Sequence, residues 1–269
     1  MKKIKIKDIL KKKNKEKITV LTGYDYSFAK ILDQAGIDII LVGDSMANVA
    51  LGMKEIRNIP LAEMFNHTAA VARGVTHSLI VADMPYKAYQ KDPAKCLYNA
   101  KKFIKAGADA VKIEWFSKAE YVIKRLIKNK IPVMGHIGLT PQTAHLLGGY
   151  KVQGRDQARA EQLIEQAKTL QNLGVFSIVF ECIPYQLSSR ITKTLKIPTI
   201  GIGAGKYCDG QVLVLYDFLG LYKAKKLKFT RVYCDLSSQI QTATAKYIRD
   251  VRLGRFPSKK ESFSLKREK

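Results

Sequence analysis

The sequence predicts an α/β fold in which eight parallel strands alternate with helices and close into a single barrel. Apolar runs rich in Val, Ile and Leu recur along the chain, and segments with the spacing of amphipathic helices separate them. The 269 residues show no second composition regime, and closed α/β barrels commonly take about 250 residues. An open, doubly wound sheet is the alternative, because alternating strands and helices do not by themselves establish closure.

The first four strands are predicted from short apolar runs. They are ITVLTG at 18–23, IDIILVG at 37–43, LIVA near 79–82 and DAVKIE at 109–114. Three helices lie between them, at 25–36, 61–74 and 93–107. Each of these helices stops at a glycine, a residue that tolerates the left-handed conformation common after helix C-termini.

The second half of the chain repeats this pattern. Its strands are predicted in IPVMG, VFSIVFE, IPTIGI and QVLVLY, at 131–135, 175–181, 197–202 and 211–216. Its helices are predicted at 118–130, 155–174 and 186–196, and an amphipathic stretch at 237–254 forms a C-terminal helix. We therefore predict one (β/α)8 barrel domain over 1–269.

The formal net charge of +24 suggests nucleic acid, an anionic membrane surface or anionic substrates as partners. Nine lysines lie in 1–17 and a second basic cluster lies in 258–269, so both termini are predicted to be solvated. The other lysines are spread over predicted helices without a nucleic-acid-binding motif. We predict no nucleic-acid partner, and a basic binder on a barrel scaffold is the non-enzyme alternative.

No membrane or export segment is predicted. No apolar segment of a signal peptide follows the basic N-terminus, and no run approaches the roughly 18 apolar residues that a membrane helix needs. The four cysteines form no C-x-x-C pair and show no metal-ligand spacing. These features predict reduced thiols in a cytoplasmic protein.

Acidic residues end three consecutive predicted strands, at Asp44, Asp83 and Glu114. Because the C-terminal ends of the strands share one rim of a parallel barrel, these carboxylates are expected to meet there. They would repel one another unless a cation joined them, and oxygen ligands without His or Cys favour Mg²⁺. Taken singly, each acid is better explained as a helix N-cap or loop residue, so the prediction depends on their shared position.

Three further polar residues are candidates for the site. Lys112 precedes Glu114 by two and shares its strand face, where it either holds an anionic substrate group or forms a structural ion pair. Glu181 ends the sixth strand, across the barrel from the acids, which suits a general base; a surface acid is the simpler explanation of one glutamate. His136 ends the fifth strand and either contacts substrate or a site acid, or is satisfied structurally.

Several stretches of the chain match those of one enzyme family, and they occur in the family's order from about residue 18 to 257. They are LTGYDYSFAKILDQAGIDIILVGDS, HTAAVARG, VADMPY, ADAVKIE, PVMGHIGLTPQ, GGYKVQGRD, ECIP, IPTIGIGAG and CDGQVLVLYDFLGL. Together they are highly specific. On these motifs the chain resembles the ketopantoate hydroxymethyltransferase family.

The resemblance implies a phosphoenolpyruvate/pyruvate-like (β/α)8 barrel and an enzyme of pantothenate and coenzyme A biosynthesis. Members of the family transfer a one-carbon unit from 5,10-methylenetetrahydrofolate to 3-methyl-2-oxobutanoate and form 2-dehydropantoate, with Mg²⁺ as cofactor. The resemblance also implies a homodecamer.

Roles are carried over residue by residue through the matching motifs. The resemblance implies that Asp44 and Asp83 bind Mg²⁺, that Glu114 contributes to its shell and that Glu181 accepts the proton from C3 of the ketoacid. The ketoacid itself is held by residues of strands two to four and the loops that follow them: Asp44, Ser45, Asp83 and Lys112.

The chain departs from the family in two loops. After the acid of strand two, the family usually has a glycine where this chain has Ala47, followed here by Asn48; alanine would be strained if the loop requires positive φ. After the acid of strand four, the family usually has glycine, whereas Trp115 and Phe116 follow here.

A carbon–carbon lyase or mutase of the related phosphoenolpyruvate-using barrels is the main enzymatic alternative. Such enzymes also place acids and Mg²⁺ at this rim. They typically have a catalytic cysteine or a different lid motif, and neither is evident in this sequence.

Overall fold

The computed structural model describes residues 2–222 and 227–265 and contains eight parallel strands that close into a barrel. In chain order the strands are β1 Ile18–Thr22, β2 Ile39–Val42, β3 Leu79–Asp83, β4 Ala110–Glu114, β5 Val133–Gly138, β6 Ser177–Glu181, β7 Thr199–Ile202 and β8 Gly210–Leu213. Each strand pairs with the next, and β8 pairs with β1. The predicted barrel is confirmed and the open sheet is excluded, because the β1–β8 pairing closes the sheet.

Helices connect the strands, and most of them follow the predicted pattern. The α-helices are α1 Ile6–Lys11, α2 Tyr26–Gln34, α3 Met46–Val49, α4 Leu61–Gly74, α5 Tyr86–Tyr89, α6 Cys96–Lys105, α7 Ala119–Lys128, α8 Gln157–Leu173, α9 Tyr185–Thr194, α10 Leu215–Phe218 and α11 Leu236–Arg252. Short 3-10 helices lie at Ile56–Asn58, Pro93–Lys95, Pro141–Leu147 and Lys259–Glu261. The predicted helices are present with slightly shifted ends, because local capping sets where a helix stops.

All eight strands differ from their predicted bounds by one to three residues, and the largest differences are at the C-terminal ends of β5 and β8. β5 runs beyond 135 to Gly138, because Gly135 pairs with both neighbouring strands inside the sheet and does not end the strand. His136 therefore lies within β5, which corrects the prediction that it ends the strand. β8 stops at Leu213, and the residues after it begin α10.

Aliphatic side chains from alternate strand positions fill the interior of the barrel. The strand residues in this cluster are Ile18, Val20, Ile39, Leu41, Leu79, Val81, Ala110, Met134, Val179, Ile200 and Val212. The pleat of a strand points every second residue inward, so these side chains form a packed core. The polar candidates for the site follow this apolar layer at the C-terminal ends of the strands.

The basic N-terminal segment packs partly against the barrel, although most of its lysines are exposed, so residues 2–17 are only partly solvated. Ile9 of α1 is fully buried in the same apolar cluster as the strand residues. The Nζ of Lys13 lies 2.7 Å from Oδ2 of Asp209, which precedes β8, and Lys12 pairs likewise with the acid that precedes β2. Acidic residues at the N-terminal ends of the strands thus form ion pairs with lysines that the sequence alone predicts to be exposed to solvent.

The chain divides into two compact units, Met1–Leu215 and Tyr216–Lys269. The first unit contains the whole barrel and every candidate site residue. The prediction of one domain over 1–269 stays a prediction.

The second unit contains α11 and the C-terminal segment. α11 buries none of its residues, and the ring of Phe218 stacks on that of Tyr233 with centroids 4.8 Å apart. Residues 258–265 are exposed, and 266–269 lie outside the described residues. Over the described part of the whole chain, no helix has the length and apolar character that crossing a membrane requires.

Candidate active site

The acids predicted at the strand ends lie at the C-terminal rim of the barrel. Asp83 and Glu114 are the last residues of β3 and β4, and Asp44 lies just beyond β2. All three are buried, with Asp44 5%, Asp83 3% and Glu114 1% exposed. The backbone N–H of Asp44 donates to Oδ2 of Asp83 over 3.2 Å, so the ends of β2 and β3 are joined within the site.

Lys112 contributes positive charge to this cluster. It lies on β4 in register with Asp83, and its Nζ forms a buried ion pair with Oδ1 of Asp83. Burial opposes the charge of the lysine, but the charges of Asp83, Asp44 and Glu114 outweigh burial and raise the pKa of Lys112 above its ordinary value. Lys112 is therefore a cation throughout the neutral pH range.

The cluster nevertheless carries an excess of acidic groups. Burial, together with the charge of Asp83, raises the pKa of Asp44 to about 7, although Lys112 and a hydrogen bond lower it. Burial and the charge of Asp44 raise the pKa of Glu114 well above its usual range. Burial thus disfavours the ionised form of both carboxyl groups, and a further cation would favour their charged forms.

Gln142 joins the acids of β2 and β4. Its Nε2 donates to Oδ2 of Asp44 over 2.7 Å and to the carbonyl oxygen of Met84 over 3.0 Å. Its backbone N–H donates to Oε2 of Glu114 over 3.2 Å. Sequence reasoning missed this residue, although it lies in the GLTPQ stretch that carried the resemblance. Its role could have been suspected only from that motif, because an isolated glutamine has no distinctive spacing.

Tyr89 completes the network behind Gln142. Its hydroxyl donates to Oε1 of Gln142 over 3.1 Å and accepts from the backbone N–H of Glu114 at 3.0 Å. The tyrosine is fully buried. It thus orients the amide that contacts Asp44, and no sequence signal identified it.

Ser45 follows the acid of β2 and caps α3. Its Oγ lies 2.9 Å from the hydroxyl of Tyr24, which accepts from Oγ1 of Thr22 at 2.7 Å. Thr22 in turn accepts from the backbone N–H of Leu215 at 2.8 Å. These hydroxyl groups tie Ser45 to the ends of β1 and β8 and place it beside Asp44.

The loop after β2, one of the two that depart from the family, shows no backbone strain. Ala47 lies inside α3, and its backbone does not adopt positive φ. Asn48 donates from Nδ2 to the carbonyl oxygen of Met53 over 2.7 Å and so closes the loop. The strain considered for Ala47 is absent, because a helical backbone suits alanine.

Glu181 and His136 occupy the adjoining part of the rim. Glu181 is the last residue of β6, and His136 lies on β5 between it and Glu114 of β4. The imidazole Nε2 lies 3.4 Å from Oε2 of Glu181, and Nδ1 lies 3.7 Å from Oε1 of Glu114. Glu181 is thus across the barrel from β2, but only two strands and one histidine away from Glu114, so it is not opposite the whole acid cluster as predicted.

Burial sets the ionisation of this pair. It lowers the pKa of His136 well below its ordinary value, and the charge of Lys112 acts in the same direction, so the imidazole is neutral at pH 7. Burial raises the pKa of Glu181 to about 8, although Lys112 lowers it. Neither ring nitrogen of His136 has a hydrogen-bond partner among the described residues. The site therefore offers a carboxyl group with a base-like pKa beside a neutral imidazole.

The backbone around Glu181 is tightly constrained. The N–H of Leu139 donates to the carbonyl oxygen of Glu181 over 2.8 Å. Gly138 is the ladder partner of Glu181 and has a φ of +96°, a conformation that favours glycine. A Cβ atom at Gly138 would also collide with that carbonyl oxygen. The close approach of β5 and β6 thus fixes the position of Glu181.

The predicted metal ligands do not form a three-ligand group. Over residues 2–222 and 227–265, no three His, Cys, Asp or Glu side chains are arranged to hold a metal ion. Lys112 contacts one oxygen of Asp83, and Gln142 contacts one oxygen of Asp44 and one of Glu114. A metal at this rim would therefore have one or two carboxylate ligands and be completed by water and substrate, as Mg²⁺ commonly is.

Comparison with known families identifies the relationship. A family model described as ketopantoate hydroxymethyltransferase matches residues 3–259. The chain belongs to this family. A 3-methyl-2-oxobutanoate hydroxymethyltransferase of Clostridium botulinum (strain Langeland) is 49% identical over 255 residues, covering 94% of this chain and 93% of the relative. One from Caldicellulosiruptor saccharolyticus is 47% identical over 264 residues, covering 98% and 100%.

These relationships confirm the resemblance found in the sequence and make the chain a hydroxymethyltransferase. The family and its named relatives act in the first step of pantothenate synthesis.

Solved structures show the same barrel in distant proteins. Phosphoenolpyruvate phosphomutase from Streptomyces platensis subsp. rosaceus has a TM-score of 0.62 at 12% identity, covering 97% of this chain and 92% of that one. The 2,3-dimethylmalate lyase, a PEP mutase/isocitrate lyase superfamily member, has a TM-score of 0.60 at 12% identity, covering 96% and 91%. At this identity the similarity concerns the fold, and it confirms the predicted phosphoenolpyruvate/pyruvate-like barrel.

Proposed function

We propose that the chain transfers the one-carbon unit of 5,10-methylenetetrahydrofolate to 3-methyl-2-oxobutanoate and forms 2-dehydropantoate and tetrahydrofolate. The observation that carries this proposal is the separation of two chemical roles at one rim. Asp44, Asp83 and Lys112 form a charged cluster suited to an anionic ketoacid, and Glu181, beyond the ring of His136, has a pKa of about 8. A base of that strength suits removal of a weakly acidic proton beside a ketone.

The ketoacid is bound by the chain's own groups. The ammonium of Lys112 attracts its carboxylate, and the hydroxyl of Ser45, placed beside Asp44, can donate to one of its oxygens. Burial of this cluster removes competing water, so these polar contacts are stronger than they would be at the surface.

Mg²⁺ fits the donor set at Asp44 and Asp83. Asp44 keeps one carboxylate oxygen without a hydrogen bond among the described residues, and the excess of acids over cations favours a bound divalent ion. When bound there, Mg²⁺ would act as a Lewis acid toward the keto group and make the C3 proton more acidic. A contribution of Glu114 to the metal's surroundings stays a prediction.

Glu181 supplies the proton transfer. Its carboxylate takes the proton from C3, and the electron pair of that C–H bond is shared with the keto oxygen. C3 then forms a bond to the methylene carbon as one of the two C–N bonds of that carbon breaks. The oxygen of water forms a bond to the same carbon as the second C–N bond breaks, and the electrons of both C–N bonds return to nitrogen. Water provides the hydroxyl group of the product. The two hydrogens gained by the folate nitrogens come from C3 and from this water.

His136 positions the base in this proposal. Its neutral ring lies between Glu181 and Glu114, where a protonated nitrogen can donate to a carboxylate without adding a charge. Among the described residues neither ring nitrogen makes such a bond, so the positioning of Glu181 by His136 is part of the proposal.

The lyases and mutases of the alternative typically have a catalytic cysteine or a different lid motif. Cys182 follows the base directly, but burial and the charge of Glu181 raise its pKa to about 12. Its thiol is therefore protonated at neutral pH and poorly suited to nucleophilic attack. This observation favours the transferase.

The proposal extends to the cellular setting and the assembly. The four cysteines are all free, which fits a cytoplasmic enzyme. We propose a homo-oligomer, the homodecamer implied by the family, because α11 exposes apolar side chains that a soluble monomer rarely leaves uncovered. They are Ile240, Tyr247, Ile248 and Val251. Light scattering that gives the mass of a single chain would contradict this part of the proposal.

The reaction is tested by proton NMR of 3-methyl-2-oxobutanoate in D₂O with enzyme and Mg²⁺. We expect the C3 proton signal to disappear, a chelator to slow its loss, and 2-dehydropantoate to form once 5,10-methylenetetrahydrofolate is added. If neither exchange nor product is observed with both substrates present, the transferase proposal is wrong.

A further inference from the structure

A cavity lies beside the acid cluster, at the ends of β4 and β5. Its volume is about 450 Å³, within the range of pockets that hold drug-sized ligands. Its walls come from the loop after β4, from the 3-10 helix Pro141–Leu147, from α5 and from the first half of α8. None of the predicted ketoacid or metal residues lines it, so this cleft is a neighbour of the site described above.

The cleft adjoins the reacting groups directly. Trp115 lines it and follows Glu114, and the N–H of Trp115 donates to the carbonyl oxygen of His136 over 2.9 Å. Gly138 also lines it and is the ladder partner of Glu181. Adjacent strands of a sheet lie about 4.8 Å apart. A molecule that contacts Gly138 in the cleft therefore lies about one strand spacing from the backbone of Glu181.

The walls suit a flat, polar, anionic molecule. Aromatic rings line one part, and four glutamine side chains offer amide donors and acceptors elsewhere. Arg159 lines the opening, and it has no acidic partner within ion-pair distance in the described part of the chain. His145 also lines the cleft, with its Nε2 3.4 Å from the Nη1 of Arg57. No carboxylate belongs to the lining formed by the described residues.

Trp115 provides a ring surface for stacking. Phe116 already packs edge-on against Tyr89, with centroids 5.3 Å apart and planes at 78°. Trp115 is half-buried and has no ring partner among the described residues. Because stacking on an indole is effective for any conjugated heterocycle, such a ring is the occupant that this wall favours.

We propose that this cleft binds the folate co-substrate, with its pterin and benzoyl rings against Trp115 and its glutamate carboxylates toward Arg159. The proposal rests on the proposed function, which requires a folate whose methylene carbon reaches the ketoacid. Trp115 stands where the family usually has glycine, so this ring contact is a property of this chain. The glutamines bond the edges of the pterin ring.

Trp115 also makes the proposal directly measurable, because it is the only tryptophan in the chain. Titration of the full-length protein with tetrahydrofolate should quench its fluorescence saturably, after correction against free tryptophan. Arg159→Gln should raise the Kd about tenfold or more, since a charge-assisted hydrogen bond is lost. Arg73→Gln is the matched control, because Arg73 is exposed at the C-terminal end of α4.

Steady-state kinetics provide a second, independent measurement. Trp115→Gly should raise the KM for 5,10-methylenetetrahydrofolate about tenfold, because stacking against the indole is lost. The KM for the ketoacid is the internal comparison and should change much less. A purely structural role for Trp115 would instead raise both KM values or lower kcat alone, and either pattern would overturn the assignment of the ring contact.

The outcomes separate this proposal from the proposed function. If the unaltered protein forms product but tetrahydrofolate leaves Trp115 emission unchanged and Arg159→Gln keeps its folate KM, the folate binds elsewhere and the transferase stands. If the protein neither exchanges the C3 proton nor forms product, the proposed function fails. Saturable quenching would then still support the cleft as a folate site, and its absence would overturn the cleft as well.

Discussion

Replacing Glu181 with glutamine removes the base while keeping the shape of the side chain. General base catalysis typically contributes about 10²–10⁴-fold to a rate, so Glu181→Gln should slow exchange of the C3 proton by this factor. The ion pair of Lys112 and Asp83 does not involve Glu181, so binding of the ketoacid should change little. Glu165→Gln is the matched control, because this glutamate is exposed on α8 and pairs only with Lys168 among the described residues.

The pH dependence follows from the raised pKa of Glu181. With a value of about 8, about one tenth of the carboxyl groups are ionised at pH 7 and about nine tenths at pH 9. Only the ionised form accepts a proton. The exchange rate of the protein at saturating ketoacid should therefore rise about tenfold between pH 7 and pH 9 and level off above that.

Proton NMR in D₂O measures both effects in one experiment. The rate of loss of the C3 signal is followed at several pH values for the unaltered protein, for Glu181→Gln and for Glu165→Gln. A Glu181→Gln rate within threefold of the unaltered rate would refute the assignment of the base. A profile that is flat from pH 7 to pH 9 would show that the relevant ionisation is not that of a buried carboxyl group.

Other perturbations of the rim have defined outcomes. Lys112→Met should lower the free energy of unfolding by about 3–5 kcal/mol, because it leaves the Asp83 carboxylate buried without its partner. Denaturant titrations measure this loss, and adding Asp83→Asn to the variant should restore part of it. Gly138→Ala should lower the Tm and the exchange rate together, since its methyl group displaces the Glu181 carbonyl; an unchanged Tm would contradict the clash. Without ligands, stability should fall as pH rises from about 5 to 8, because the raised pKa values of Asp44 and Glu181 keep protons on the folded state that the unfolded state has lost. Each group contributes at most about 1.4 kcal/mol per pH unit, and a Tm independent of pH in calorimetry would argue against buried carboxyl groups. Mg²⁺ should raise the Tm more at pH 8 than at pH 5, because it binds the ionised carboxylates; equal shifts in calorimetry would place the ion elsewhere.

The barrel could be predicted because its signals are local and repeated. Apolar runs coincide with the observed strands, and glycines lie close to the ends of the observed helices. Only the exact first and last residues of these elements differ from the prediction. The predicted β5 is too short, because nothing local shows that Gly135 lies inside the strand, where its missing side chain makes room for Leu170 of α8. That requirement comes from packing between distant segments, which a local pattern does not contain. The same limit explains the N-terminal lysines, whose acidic partners lie far along the chain.

The site was predictable only where topology brings strand ends together. Asp44, Asp83 and Glu114 follow from their shared position at the rim, and the family motifs supplied the role of Glu181. Gln142 was missed, because its contacts with two acids depend on the turn that begins at Pro141. A polar side chain whose importance comes from its neighbours leaves no periodic or spacing signal in the sequence.

The buried acids of the rim destabilise the folded state and at the same time favour binding of a cation. Asp83 has a lysine partner, whereas Asp44 and Glu114 are held mainly by amide hydrogen bonds from Gln142. Hydrogen bonds of this kind offset only part of the free-energy cost of burying a carboxylate. The cost that is not offset disfavours the ionised form and raises the pKa of both acids. A divalent cation would relieve that cost and, by doing so, would bind where a ketone must be polarised. The buried acids that lack a cationic partner would thus favour binding of a divalent cation at this rim.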